Sequence, residues 1–297
     1  MDTNRITNFH KWCKNLCVFV FFTCVICGLT INRINTVRII LQTALDAGKA
    51  ILDIYNSREY AVESKEDKSP LTTADLASNK IINENLKSLE LPVLSEENKQ
   101  IPYPERKTWN EFFLVDPLDG TKEFIKRNGE FTVNIALVKK NTPILGVIYA
   151  PVPDILYWGS EEEGSWKMKN ASRNFNEKNI YKHAQKLPAE GPDPQHLRIV
   201  ASKSHFSKET RNYINNLDTG NKQIRLVSRG SSLKFCMMAE GSADLYPRLG
   251  LTMEWDTGAG HAIAKFASCE INKFNRKKEL NYNKENLLNP YFIVSRK

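Results

Sequence analysis

The sequence predicts a layered protein of mixed α and β structure built as two subdomains. Helical segments with apolar residues three and four apart are interspersed with short strand-like runs. Hairpin spacing occurs alongside crossover-length connections, and a polar stretch divides the body. With 297 residues, 41% hydrophobic, 26% charged and 10% aromatic, the chain has enough apolar material for a large core, which excludes disorder as its main state.

The first helix is marked by Val37, Ile40, Leu41, Ala44, Leu45, Gly48, Ile51 and Leu52, and the folded body begins there, at about Thr36. The segment 69–75 ends an irregular stretch and opens a second helix. Thr72 or Thr73 is its expected cap, and Leu76, Ile81, Ile82, Leu86 and Leu89 its apolar stripe. Strands are expected over residues 92–95, 111–115 and 131–137, the last turning through Lys-Lys-Asn-Thr-Pro into residues 144–150 as an antiparallel hairpin. Residues 169–195 are polar and aperiodic and read as a surface excursion near a domain junction. Beyond them come strands over 197–201, 224–227 and 243–249 and helices over 231–240 and 257–267. This divides the chain into a leader (1–35), an N-terminal subdomain (36–190) and a C-terminal subdomain (191–297).

The formal charge is +8, from 42 Lys and Arg against 34 Asp and Glu. Half of it comes from Arg5, Lys11, Lys14, Arg33 and Arg38 against Asp2, so the body is nearly balanced and shows no basic stripe of a nucleic-acid binder. Four of six cysteines lie in the first 27 residues; Cys236 and Cys269 alone cannot staple the body, and a reducing compartment is expected. Residues 16–31 carry no charge and are flanked by Lys14 and Arg33. The run is shorter than the roughly 20 residues that comfortably span a bilayer. It also matches the charged and apolar regions of a secretory signal, without a small-residue cleavage site. Membrane association through this run and a leader foreign to the native chain are both compatible with it.

The chemistry concentrates at strand ends. An apolar run passes directly into Asp116-Pro117-Leu118-Asp119-Gly120-Thr121. Pro117 biases Asp116 toward extended geometry and Asp119-Gly120 favours a tight turn, so two carboxylates and a hydroxyl can converge. Neighbouring acids repel unless a cation lies between them, and a hard divalent ion prefers such oxygens. Taken alone, Asp-x-x-Asp-Gly is more often a surface turn. Glu96 and Glu97 end another strand, Asp75 lies in the first turn of a helix, and Asp256 sits where it can cap one. Four such acids at the borders of apolar elements make a shared metal centre the simpler account. Gly230-Ser231-Ser232 at a helix start offers backbone N–H groups to an anion as readily as a plain cap.

LVDPLDGTKEF (114–124), LSEE (94–97), SPLTTAD (69–75) and WDTGAGHAI (255–263) together resemble the inositol monophosphatase-like, lithium-sensitive phosphatase superfamily. Within it, FIKRNGEFTVNIAL (124–137), GSSLKFCMMAEGSADLYPRLG (230–250) and LNP (288–290) are similar to the bacterial bisphosphate nucleotidase branch. The resemblance spans about residues 36–297. It implies an alternating αβαβα sandwich, inhibition by Li⁺, and a Mg²⁺-dependent phosphatase that removes the 3'-phosphate of adenosine 3',5'-bisphosphate to leave AMP. It further implies two or three Mg²⁺ ions held by Glu96, Asp116, Asp119, Asp256 and the Leu118 carbonyl. Asp75, Glu96 and Thr121 would activate water, and Glu96, Leu118, Asp119, Gly120, Thr121, Ser202, His205, Gly230, Lys234 and Asp256 would bind substrate. Arg248 is a further phosphate contact on the same ground. The alternatives are an inositol or sugar monophosphatase and, from another class, a membrane-tethered nucleotide-binding protein with an idle site. The substrate is a small nucleotide rather than nucleic acid, and a cytoplasmic enzyme with attachment to the inner membrane face is expected.

Overall fold

The computed structural model describes residues 34–297 apart from residues 58–61, 65–69, 99 and 202–206. The apolar leader run, Ser202 and His205 therefore lie outside the described residues. No helix among the described residues is long and apolar enough to cross a membrane. Residues 40–297 form one compact unit, and residues 34–39 fall in a separate one.

Helix α1 runs over residues 34–57. Strands β1 (Val62–Ser64) and β2 (Pro70–Thr72) pair antiparallel and lead into α2 (Thr73–Leu86). Next come β3 (Val93–Ser95), α3 (Tyr103–Arg106), β4 (Glu111–Asp119), α4 (Thr121–Ile125), β5 (Thr132–Lys139) and β6 (Thr142–Ala150). They are followed by β7 (Ile155–Ser160), β8 (Gly164–Lys169), α5 (Ala171–Asn174) and β9 (Ala184–Leu187). The C-terminal part contains β10 (His196–Val200), α6 (Lys208–Asn215), β11 (Gln223–Val227), α7 (Leu233–Glu240) and β12 (Leu245–Arg248). It closes with α8 (Glu254–Phe266), β13 (Cys269–Lys273) and β14 (Phe292–Arg296).

Strands β3 to β9 form a seven-stranded sheet in chain order, antiparallel except for the β3–β4 pair. The other five strands form a second sheet in the order β11-β10-β12-β14-β13. Helix α8 lies against β4 to β8 of the first sheet and β13 of the second, while α7 packs on α8, β12 and β14. The two helices thus form a layer between the sheets. Tyr149 meets Gly48 of α1 and Gly146 meets Ala259 of α8; these positions have opposite parity on β6, so helices cover both faces of that strand. Burial on both faces explains why β4 to β6 read as nearly continuous apolar runs instead of alternating ones. The core between helices and sheets includes Phe112, Leu114, Ala136, Ile148, Phe235, Ala259, Ile263 and Phe292.

Several expectations change. The polar stretch 169–195 holds β9, whose Leu187 is buried, and Tyr181 packs on Trp166 at 4.8 Å between ring centroids. Long-range pairing, invisible to local periodicity, pulls the segment onto the sheet. Leu76 is 50% exposed; the inward stripe of α2 is Ala74, Ser78, Ile82 and Leu86 at strict fourfold spacing. Strand β4 runs four residues past the expected end, and α8 starts at Glu254, which sets Asp256 inside its first turn. Strands β7, β8, β13 and β14 had no counterpart in the sequence reading.

Gly146 permits the close approach of α8, since a Cβ there would stand 2.3 Å from the carbonyl oxygen of Ala259. Gly146→Ala should lower stability by about 1–3 kcal/mol through overpacking. Urea denaturation measures this, and an unchanged midpoint would remove the contact as a constraint.

Candidate active site

Two segments carry the central acids to one face of the first sheet. In β4, Asp116 pairs with Asn134 of β5 and Asp119 with Thr132, so a step of three on one strand opposes a step of two on the other. Residues three apart on a regular strand point to opposite faces. The one-residue bulge at Pro117-Leu118 corrects the parity, so Asp116 and Asp119 share a face. Pro117 is tolerated where the ladder is interrupted. Gly120 (φ +94°) then turns the chain into α4 in a conformation that side-chain-bearing residues rarely adopt, and Thr121 opens that helix. The Leu118 amide donates to Asp116 Oδ1 at 3.1 Å.

The other acids arrive from neighbouring elements. Thr72 is the cap of α2: its hydroxyl accepts from the Ala74 and Asp75 amides, while Asp75 Oδ2 accepts from the Thr72 amide at 2.8 Å. Asp75 Oδ1 accepts from the Thr121 hydroxyl at 3.2 Å, and Ser78 donates to the Pro117 carbonyl at 2.7 Å, which ties α2 to the end of β4. Glu96 follows β3 in a 3-10 turn spanning Glu96–Asn98. Asp256, in the first turn of α8, accepts from the Met253 amide at 2.8 Å. Asp119 Oδ2 accepts from Ser231 at 2.6 Å and from Ser232 at 2.7 Å, and Ser232 also lies 3.0 Å from the Asp256 carbonyl oxygen.

Electrostatics shows that these acids share a neighbourhood. Burial pushes the Asp116 carboxyl well above its ordinary value, and Glu96, Asp119, Asp256 and Asp75 push it further. Burial likewise raises Asp256, with Asp119 the next cause, to about 8. Among the described residues no three His, Cys, Asp or Glu side chains are grouped tightly enough to grip an ion unaided. Mutual repulsion accounts for that spacing, and several of the carboxylates are turned onto nearby hydroxyl or amide donors. None of the chief influences on Asp116 is cationic, and the donor set is entirely oxygen, so the residues suit a hard divalent cation.

Beside the acids opens a cavity of about 570 Å³ lined by Asp119, Gly120, Gly230, Ser231, Lys234 and Arg248, with Lys122, Lys126 and Arg229 among its other walls. Lys234 is buried and donates to the Ser231 carbonyl at 2.6 Å; burial lowers its ammonium to about 8 against the pull of Asp119. The buried Nε of Arg248 has no partner within the described protein. The Gly230 amide is not left open for an anion as the sequence suggested, because it donates to Glu130 Oε2 at 2.9 Å. Asp75, Glu96, Asp116, Leu118, Asp119, Thr121 and Asp256 gather on one side, and Gly120, Gly230 and Lys234 meet at the adjoining cavity.

Sequence reasoning missed Ser231 and Ser232 as holders of Asp119 and missed Thr132, Asn134 and Glu130 altogether. The signal was present: Thr132 and Asn134 are polar residues two apart in an otherwise apolar strand, both essentially fully buried.

Residues 34–295 match the model of the inositol monophosphatase family. The chain belongs to the inositol monophosphatase family. Among curated members, the 3'(2'),5'-bisphosphate nucleotidase CysQ of Salmonella typhimurium is 45% identical over 262 residues, covering 86% of this chain and 98% of that protein. CysQ of Haemophilus influenzae is 36% identical over 90% of this chain and 94% of its own length. The crystal structure of CysQ from Bacteroides thetaiotaomicron superposes with a TM-score of 0.79 at 44% identity, covering 89% of this chain and 97% of that one. The suhB protein of Bartonella henselae, at 21% identity and a TM-score of 0.66 over 89% of this chain and 94% of its own, shares the family's layered fold.

The raised acids set a pH dependence. Asp116 and Asp256 ionise at higher pH in the folded than in the unfolded chain. Their contribution to stability is complete below the ordinary value of 3.8; that of Asp256 is lost as pH rises through about 8, and that of Asp116 as pH rises well above its ordinary value. With divalent ions chelated, the chain should melt at falling temperature from about pH 5 to 8, and added Mg²⁺ should restore more at the upper end. A melting temperature indifferent to both would contradict the shared acidic pocket.

Proposed function

We propose that the chain is a Mg²⁺-dependent 3'(2'),5'-bisphosphate nucleotidase that hydrolyses the 3'-phosphate of adenosine 3',5'-bisphosphate to AMP and phosphate. The observation that carries this reading is the convergence on buried Asp116 of acids from four other points in the chain, beside a cavity rich in cationic side chains. The family consists of metal-dependent phosphatases, generally using Mg²⁺. The CysQ relatives, whose name carries the bisphosphate nucleotidase activity, match nearly full length.

Glu96, Asp116, Asp119, Asp256 and the Leu118 carbonyl would hold two or three Mg²⁺ ions. These supply charge neutralisation for the phosphoryl group, acidification of water and support of the leaving oxygen. The chain's own groups supply direction. Thr121 stands 3.2 Å from Asp75 Oδ1 and 3.4 Å from the Leu118 carbonyl oxygen; its Oγ1 can accept from a water while its own proton passes toward Asp75. Glu96, one of the acids acting on Asp116, would serve as a second base. Backbone at Gly120 borders the cavity without a side chain in the way. Lys234, Arg248 and Arg229, all lining the cavity, suit the second phosphate of a bisphosphate. A monophosphate of inositol or of a sugar would leave these cations unmatched, which favours the nucleotide. Ser202 and His205 complete the proposed nucleotide contacts by resemblance alone. An idle nucleotide-binding protein would have no use for the intact set of acids.

Phosphate release should be faster from adenosine 3',5'-bisphosphate than from inositol 1-phosphate and should require Mg²⁺; the reverse preference would overturn the substrate. Asp119→Asn should lower turnover by roughly 10²-fold or more with the fold intact, and unaltered turnover would remove that carboxylate from the chemistry. The apolar run at residues 16–31 supports membrane association of the full chain, with the catalytic body on the cytoplasmic side. Full-length protein, and not residues 36–297, should sediment with phospholipid vesicles; equal behaviour of the two would remove the leader as an anchor.

A further inference from the structure

The hydrogen bonds that fix Asp119 originate on β5. Thr132 and Asn134 share a face of that strand, and each reaches one of two consecutive serines. Thr132 Oγ1 lies 2.6 Å from Ser231 Oγ, and Asn134 Nδ2 donates to Ser232 Oγ at 2.8 Å. Proton counting orders the chain. An ionised carboxylate only accepts, so Ser231 spends its single proton on Asp119 Oδ2 at 2.6 Å, and the single proton of Thr132 faces two acceptors, Ser231 Oγ at 2.6 Å and the Asn134 amide oxygen at 2.9 Å. Asn134 donates to Ser232, which donates to the same Oδ2 at 2.7 Å; Asn134 also lies 3.4 Å from Oδ2.

Two relays therefore end on one oxygen, one through Ser231 and one from Asn134 through Ser232, and Thr132 supports the first by donating to Ser231 or the second by fixing the Asn134 amide, each bond polarising the next. Among the described residues no hydrogen bond ends on Asp119 Oδ1. Thr132 and Asn134 are essentially fully buried, so water does not compete for their donors. Glu130, two residues before the strand, accepts the Gly230 amide at 2.9 Å and pins the start of the serine segment. Ser231 itself adopts φ +51°, a strained conformation for a serine that these bonds hold in place.

We infer that Thr132 and Asn134 are positioning residues for Asp119: Asn134 by donating to Ser232, and Thr132 by its bond to Ser231 or to the Asn134 amide oxygen, hold both serines on Oδ2 and leave Oδ1 as the oxygen offered to the metal. The inference rests on the reading of Asp119 as a metal-holding acid. The test is titration calorimetry of the full chain with MgCl₂ alone, with melting temperature recorded beside it. Thr132→Val keeps shape and loses the donor, and should weaken Mg²⁺ binding about fivefold, the loss expected for one hydrogen bond of about 1 kcal/mol. Thr132→Ser should recover wild-type affinity. Asn134→Ala cuts the second relay and should weaken binding similarly, which keeps the question open to measurement should Thr132→Val fail to fold. Wild-type affinity in a folded Thr132→Val or Asn134→Ala protein, or equal weakening in Thr132→Ser and Thr132→Val, would overturn the inference and assign the row to packing. Asp119→Asn separates the two levels: if it binds Mg²⁺ as wild type does, the metal role of Asp119 fails; if it loses binding while the β5 variants keep it, only the positioning role fails.

Discussion

Carboxyl groups crowded into a nearly dry pocket, with no cation among the chief influences on the central Asp116, are the constraint on which this structure turns. Asp116 is 2% exposed and feels four other carboxylates. Isolated ionised groups are costly to bury, and like charges add to that cost. The fold does not avoid this; it invests backbone amides, hydroxyls and a strand bulge in maintaining it. An arrangement so unfavourable in the free chain is one that a divalent cation stabilises strongly.

The bulge between Asp116 and Asp119 is where local geometry becomes chemistry. Without the extra residue the two acids would face opposite sides of the sheet, and no single ion could reach both. With it they line up against Asn134 and Thr132 across the ladder. The same pairing delivers the donors that orient Asp119, so strand register and carboxylate aim are set by one feature.

Helix α8 connects the site to the core. Its first turn carries Asp256, while its small residues settle against the first sheet at Gly146 and Leu114. Farther along, fully buried His261 bonds Glu279 at 2.7 Å and the Tyr282 hydroxyl at 3.0 Å. Burial lowers His261 and the hydrogen bond from His261 lowers Glu279, so the neutral ring and the ionised acid are the forms that pair here. These contacts fix the helix along its length and so fix where its first turn presents Asp256.

The sequence by itself determined the acids and the kinds of elements that bear them. Helix periodicity, the Thr72 cap and the strand running into Asp116 are local properties of neighbouring residues, and the motif set was specific enough to mark the family. It could not determine which face each acid occupies, since that depends on a bulge defined by a partner strand. Nor could it determine that the Gly230 amide is taken by Glu130, or that β9 lies within a polar stretch. Those outcomes depend on groups about a hundred residues apart, or on a neighbouring strand's edge, meeting in space. Tertiary structure alone decided them, because a hydrogen bond between distant segments leaves no periodic trace in either one.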